Sequence, residues 1–468
     1  MTDPTASPHR VPAAANTGAV AAVGLDLQAD RVIPRKQVWS WALWDWSNQP
    51  FNTVILTFVF TALYLTSDSF LSPALAALPD EDPAKERGLA DLTSGLGLAI
   101  TIAGILVAVL APVLGQRSDA AGNRKRWLAV ATGGVAIAMA LLFLVQADPS
   151  FFPLGVGLVA LASVISEIAG VQYNAMLVQV STPRTVGKVS GLGWGFGYLG
   201  GIVALVIVVV LNAVEWFGLD TSNGLAYRLI ALGCAVWSVL FALPIFLNVP
   251  EAPAAPRRER VNFLKSYVVL VQDVVRLYRE QRQTFWFLVA SAVYRDGLAG
   301  VFTFGAVIAA VTFHFSSDEV IIFGIAANVV AGISTIIAGR FDDRFGPRAV
   351  ILTSLIGLVV LAIAIFFLHD AGATVFWIGG LLLCCFVGPA QAASRSLLAR
   401  VTPAGREGEI FGLYATTGRA ASFLSPALWT LLIAAFGATY WGILGIGIVL
   451  AAGLVLMLLV RAGSRDLR

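Results

Sequence analysis

Apolar runs of about twenty residues recur along almost the whole chain, and they constrain the fold more than any other feature. A helix needs about 20 mostly apolar residues to cross a bilayer. Twelve segments qualify: 38–66, 91–114, 127–146, 151–178, 189–213 and 225–248, then 284–313, 319–338, 349–368, 374–398, 409–435 and 438–460. Strand readings fail, because the runs are too long and do not alternate. Composition agrees. Of 468 residues, 58% are hydrophobic and only 13% charged, against about 25% charged in a soluble domain. The chain reads as an all-α polytopic membrane protein with twelve transmembrane helices in two pseudo-symmetric six-helix halves.

Charge placement predicts the topology. With the N-terminus inside, 26 of the 31 Lys and Arg residues, Arg395, Arg400 and Arg406 of one inner loop among them, fall on the inner side and three, Lys85, Arg87 and Arg228, on the outer. That bias predicts both termini in the cytosol. The outer loops carry acids instead, such as Asp80, Glu81 and Asp82. Residues 1–37 lack the apolar core of a signal peptide and are expected to be a flexible cytosolic tail. Residues 38–248 form the first half, 249–283 a cytosolic linker, 284–460 the second half and 461–468 a second tail. Within the linker, Leu264, Tyr267, Val268, Val271, Val275 and Tyr278 recur at helical spacing among Lys265, Arg276 and Arg279. This predicts an amphipathic helix, lying on the membrane surface or packed under the bundle.

Several function classes find no support. Basic residues sit in short clusters between apolar runs, not along an exposed face, so nucleic acid is not an expected partner. Cys234, Cys384 and Cys385 lie inside apolar runs and lack metal-site spacing. His9, His314 and His369 are scattered. The chain has no G-x-x-x-x-G-K-[ST] nucleotide loop. No cofactor, metal or catalytic residue is expected, and the chain does not read as an enzyme.

The two halves repeat each other. GQRSDAAGNRKR follows the second span and GRFDDRFGPR the eighth. Gly115, Asp119 and Gly122 map onto Gly339, Asp343 and Gly346 at one constant offset, and Thr182-Pro183 maps onto Thr402-Pro403. Internal repeats with a midplane site between the halves are typical of secondary transporters. These loops resemble the signature of the major facilitator superfamily. The first copy departs from it at Ala120, where an Arg is usual, and the second keeps Arg344. WALWDWSNQPF, YNAMLVQVSTPRTVGKVSGLGWGFGYLGG, YRDGLAG, GPAQAASRSLLARVTP and GREGEIFGLYATTGRAASFLSP are similar to the vacuole-effluxer-like branch, across roughly residues 38–460. The resemblance implies a carrier working by alternating access, with amino acids among the solutes of the branch.

Ionisable groups within a membrane cost at least about 2.5–3.5 kcal/mol each and therefore mark candidates. Asp45 in the first span has Asn48 nearly one turn on. Glu167 in the fourth precedes Gln172 and Asn174. Arg295 and Asp296 are adjacent in the seventh and face different directions. Gln391 lies in the tenth, and Arg419 in the eleventh among small residues. Each is a candidate to bind a solute or a proton, with structural pairing as the alternative. Arg419 can bind a carboxylate with two hydrogen bonds, or pair with Asp45, Glu167 or Asp296. A central site is expected among helices 1, 4, 7 and 10.

Gly115, Asp119, Gly122 and Arg124, with Gly339, Asp343, Arg344 and Gly346, form a candidate cytosolic gate. The resemblance implies that each loop contacts a helix of the other half. An Asp is stabilised at a positive helix N-terminus, so Asp119 should meet the start of helix 11 and Asp343 that of helix 5. The alternative is a loop that only anchors charge inside. Two further motifs need a reading. Gly195 to Gly200 matches a dinucleotide fingerprint but lies in an apolar run without a strand. Gly193, Gly197 and Gly201 instead suit close helix packing. Trp39, Trp41, Trp44 and Trp46 read as an interfacial belt, with a cation cage as the alternative.

The leading expectation is a secondary carrier for a small polar organic solute, monomeric, in a bacterial plasma membrane, with protons as an expected co-substrate. A membrane sensor on a carrier fold is the alternative, and would bind ligand without flux.

Overall fold

The computed structural model describes residues 24–79, 82–218, 222–251 and 263–460. Asp80, Glu81, most of the N-terminal tail, the Pro- and Arg-rich start of the linker and residues 461–468 lie outside the described residues. The chain is all-helical with no strand among the described residues. The first half comprises α1 (Arg35–Pro50), α2 (Pro83–Ala121), α3 (Arg124–Leu141), α4 (Phe152–Ala175), α5 (Val186–Ala213) and α6 (Leu225–Asn248). The second comprises α7 (Arg282–Val307), α8 (Ser317–Phe345), α9 (Pro347–Phe367), α10 (Ala373–Val401), α11 (Glu407–Ala421, resuming as Leu424–Phe436) and α12 (Trp441–Leu459). Eleven of the twelve are long and apolar enough to span a bilayer. The remaining one is α1, which continues through wide π-type turns from Phe51 to Leu65.

Packing repeats between the halves. In the first, α1 lies against α5 and α6, and α4 against α2 and α3; in the second, α7 lies against α11 and α12, and α10 against α8 and α9. The halves meet through α2 with α11 and α5 with α8. Glycines make both seams possible. Gly191 of α5 would place a Cβ 2.6 Å from the Thr335 carbonyl, and Gly195 one 2.9 Å from that of Gly332. Gly197, Gly200 and Gly201 turn the opposite way, towards Gln49, Trp46 and Thr53. The glycine run that imitates a nucleotide fingerprint is thus a helix with two close-packed faces.

Helix irregularities have local causes. Backbone groups in a bilayer need internal partners. In the wide turns Val59 N–H donates to the Val54 carbonyl at 2.9 Å, and the Thr57 and Thr61 hydroxyls donate to the Asn52 and Leu56 carbonyls. The α11 break, which an unbroken 409–435 span did not anticipate, precedes Pro426. Its missing N–H removes the bond that would carry the helix through Ser422. The second helix outruns the expected 91–114. Asp82 caps it by accepting from Ala84 N–H, Pro83 opens it, and Gly122 closes it in the left-handed region.

Two expectations are corrected, and a third meets a mixed outcome. The segment from Gly24 is packed, not free: Gly24 N–H donates to the Thr402 carbonyl at 3.1 Å, and Leu25 is buried in the core. The tryptophans do not form one belt. Trp41 and Trp44 are buried and stack on Tyr173 with ring centroids 4.4 and 4.3 Å apart, and only Trp39 is exposed. Their indoles donate to the Tyr173 carbonyl and the Thr132 hydroxyl, which satisfies both polar ends inside the half. The linker helix, Phe263–Glu280, satisfies both of its readings in part. Leu270, Val274 and Leu277 pack on the core, whereas Val268, Val271, Val275 and Tyr278 are exposed.

Truncating a buried Trp costs about 3–5 kcal/mol. Trp41→Ala should therefore lower the thermal unfolding midpoint in detergent clearly. Trp39→Ala should stay within about 0.5 kcal/mol of the parent.

Candidate functional site

Two repeated turns close one end of the helix bundle, here called the turn end. Asp119 accepts from the Gly408 and Glu409 N–H groups at 3.0 and 2.9 Å, at the first turn of α11. Asp343 accepts from the Gly187 and Lys188 N–H groups at 2.7 and 3.0 Å, at the first turn of α5. Both carboxylates thus occupy helix N-termini of the opposite half, where unpaired N–H groups and the helix dipole favour negative charge. Gly115 and Gly339 allow the approach. A Cβ on Gly115 would collide with the Gly408 carbonyl, and one on Gly339 would lie 2.6 Å from the Gly187 carbonyl. Gly122 and Gly346 both take positive φ, 62° and 86°, as the chain reverses.

The cations differ between the copies. Arg124 bridges Asp119 and Glu407 at 2.6 and 2.5 Å. Arg344 does not reach the second contact; it is exposed and lies over Phe345. Its place is taken by Arg400 of α10, 3.4 Å from both Asp342 and Asp343 and donating to the Pro183 carbonyl at 2.7 Å. The sequence reading assigned Arg400 to loop charge and passed over Asp342 and Glu407. The doubled acid in RFDDRF and the acids of GREGE at a helix start were the available signals.

The candidates of the membrane interior separate into two clusters. Glu167, Arg295, Asp296, Gln391 and Arg419 line one cavity of about 220 Å³ between the halves. Arg419 of α11 pairs with Glu167 of α4 across it. Arg295 donates to the Tyr414 carbonyl at 3.0 Å and lies 3.8 Å from that ring's centroid. Gly418 leaves room for its guanidinium, since a Cβ there would come within 3.1 Å of it. Asp296 accepts from Ser425 N–H at 2.6 Å. That donor is free because α11 breaks just before it.

Asp45 and Asn174 belong elsewhere. They face Arg395 of α10, a buried residue that the sequence reading counted among inner-loop cations. Arg395 lies 3.7 Å from the Asp45 carboxylate, donates to Asn174 Oδ1 at 3.0 Å, and donates to the Ser190 hydroxyl and carbonyl at 3.0 and 2.6 Å. Its guanidinium sits 5.0–5.6 Å from the ring centroids of Trp41, Tyr173 and Trp194. Asn48 accepts from the Ser166 hydroxyl at 3.3 Å and does not line the cavity. Gln172 is fully buried with neither amide atom partnered by protein.

A family profile described as vacuole effluxer Atg22-like matches residues 178–466, more than half of the chain. The chain belongs to the vacuole effluxer Atg22-like family. An uncharacterised MFS-type transporter of Bacillus subtilis, YxiO, is 27% identical over 433 residues, covering 91% of this chain and 95% of that one. Autophagy-related protein 22 of Cryptococcus neoformans is 25% identical over 262 residues, and the match spans 52% of this chain and 47% of the fungal protein. Among solved structures, the proton:xylose symporter XylE superposes with a TM-score of 0.67 at 13% identity, covering 92% and 96% of the two chains. The human organic anion transporter MFSD10 gives 0.66 at 16%, covering 90% and 99%. The fold is that of the major facilitator superfamily, and the protein is an integral membrane transport protein.

Each hydrogen bond to a charged group contributes about 1.5–3 kcal/mol. Asp119→Ala should therefore shift the population at the turn end roughly tenfold or more towards open. Maleimide labelling of a cysteine at buried Thr335, on the α5–α8 seam, should rise accordingly. Unchanged labelling would count against a role for Asp119 in holding this end shut.

Proposed function

We propose that this protein is a secondary carrier that moves a small polar organic solute by alternating access, coupled to protons. The observation that carries this is the polar cavity between the halves, combined with closure at the turn end. The close seams run Gly115–Gly408, Gly187–Gly339, Gly191–Thr335 and Gly195–Gly332, all in the part of the bundle nearest the turns. Rocking one half against the other about the cavity would part these seams and admit solute from that side.

The cavity's chemistry suits a small solute carrying both signs of charge. Arg295 and Arg419 can hold a carboxylate, and Glu167 and Asp296 an ammonium. At about 220 Å³ it is smaller than the roughly 300–1,000 Å³ of drug-sized pockets. Amino acids are the first class to test. The turn end carries Arg117, Lys125, Arg126, Lys188, Arg340 and Arg348, which supports a cytosolic placement under the positive-inside rule; on this reading the protein acts as a monomer in a bacterial plasma membrane. The turns then serve as the cytosolic gate.

Purified protein in liposomes should move at least one amino acid, peptide or other small polar solute, faster with a pH gradient than without. Arg419→Gln and Glu167→Gln should each lower that flux by an order of magnitude or more, since each strands a partner charge in the cavity. Saturable ligand binding with no flux under any gradient would favour a sensor on the same fold.

A further inference from the structure

Arg395 of α10 reaches from the second half into the interior of the first. It makes contacts with three helices there: Asp45 on α1, Asn174 on α4 and Ser190 on α5. The three aromatic rings around it also belong to the first half. Among the described residues, Asp45 is the only carboxylate within 4 Å of its guanidinium nitrogens. Every other partner is neutral. Arg395 is buried and the Asp45 side chain is 14% exposed, and the pair lies beside the Gly191 and Gly195 seam that holds α5 against α8. We propose that Asp45 is a proton-binding site, separate from the central cavity, and that its protonation releases Arg395 and opens the turn end.

Competing acids are held differently. Asp119 and Asp343 each accept two backbone N–H groups and face an Arg. A proton there would have to displace several hydrogen bonds. Asp296 accepts the Ser425 N–H, and Glu167 is paired with Arg419 at the edge of the cavity. Asp45 instead faces its cation at 3.7 Å, beyond hydrogen-bond length. The groups around it are few. From α10 it faces Arg395, and the Tyr173 phenol of α4 and the Tyr198 phenol of α5 are the titratable groups that feel its charge. Helix α6 turns Trp237 and Ser238 towards α1, neither of them titratable.

The consequence follows from charge balance. With Asp45 ionised, Arg395 rests in a pocket that holds one opposite charge, and the halves stay joined. A proton added to the Asp45 carboxylate leaves a buried guanidinium without a counter-ion. An uncompensated buried charge is strongly destabilising, and Arg395 can regain water only if α10 withdraws from the first half. Withdrawal parts the α5–α8 seam on the same side. Loss of the proton restores the anion and lets the arginine return. This rests on the carrier reading above, since it supplies that carrier with a coupling site.

The test follows the gap between the halves and needs no solute. Spin labels are placed at Ala121→Cys and Arg340→Cys, both exposed at the turn end, with Cys234, Cys384 and Cys385 changed to alanine. Distances are read by pulsed electron resonance in lipid nanodiscs. In the parent the distance should lengthen as the pH falls from mildly alkaline to mildly acidic. Asp45→Asn should hold the long distance at every pH, and Asp45→Glu should keep the response. Arg395→Gln removes the charge that drives opening, so it should lose the pH response; it also serves if Asp45→Asn does not fold. A parent distance that ignores pH overturns the proposal, as does a parent-like response in Asp45→Asn or Arg395→Gln. Neither result touches the carrier reading, which liposome flux decides.

Discussion

The whole arrangement depends on placing two carboxylates at helix starts across a seam that has no side chains in the way. Asp119 and Asp343 reach N–H groups that their own halves do not own, and they can do so only because Gly115 and Gly339 let backbone meet backbone. The positive end of a helix is a fixed partner, always charged in the same sense. The contact is therefore specific without demanding a second long side chain. It is also made of few bonds, each worth little beside the packing inside a half. Such an interface can hold one end of the bundle shut and still let go.

Each half, by contrast, is tied internally by apolar packing and buried hydrogen bonds. Trp41 and Trp44 clamp Tyr173, and their indole donors are satisfied within the first half. Tyr294 and Ser394 form the matching buried contact in the second, at 2.5 Å. Rigid halves joined by a polar, glycine-lined seam are what a rocking motion needs. The strain of opening falls on the seam, and the cavity charges move with the half that carries them. Glu167 and Arg419 sit on opposite halves, so their pairing changes whenever the halves move.

How much of this was legible in the sequence varies with the kind of signal. The spans, the repeat and the two halves were readable because hydropathy and a constant offset are properties of the chain itself. The contacts of Asp119 and Asp343 could be anticipated because the family resemblance implies that each loop meets a helix of the other half, and helix electrostatics favour an Asp at a helix start. Arg344 failed that test: the repeat suggested it, but the chain sends Arg400 from another helix. The interior candidates were found as residue types, not as groups. Asp45 and Arg419 looked equivalent as membrane charges, yet one faces a buried arginine among aromatic rings and the other an open cavity. That distinction depends on which helix faces which. It was hidden further by counting Arg395 as loop charge, when it sits more than a turn inside α10.

Separating the two clusters gives the molecule a division of labour. The cavity holds two acids and two arginines exposed to one another and to solute. The Asp45–Arg395 pair lies apart from it, with the rings of Trp41, Tyr173 and Trp194 around the guanidinium. A group that binds solute must be reachable from whichever side is open, and its charge must tolerate water. A group that reports protonation to the seam must be dry, so that losing one charge matters. One site cannot satisfy both demands. Building the second demand around an arginine that crosses between halves links the protonation state to the geometry directly, because the only route back to water for that cation is the motion that opens the seam.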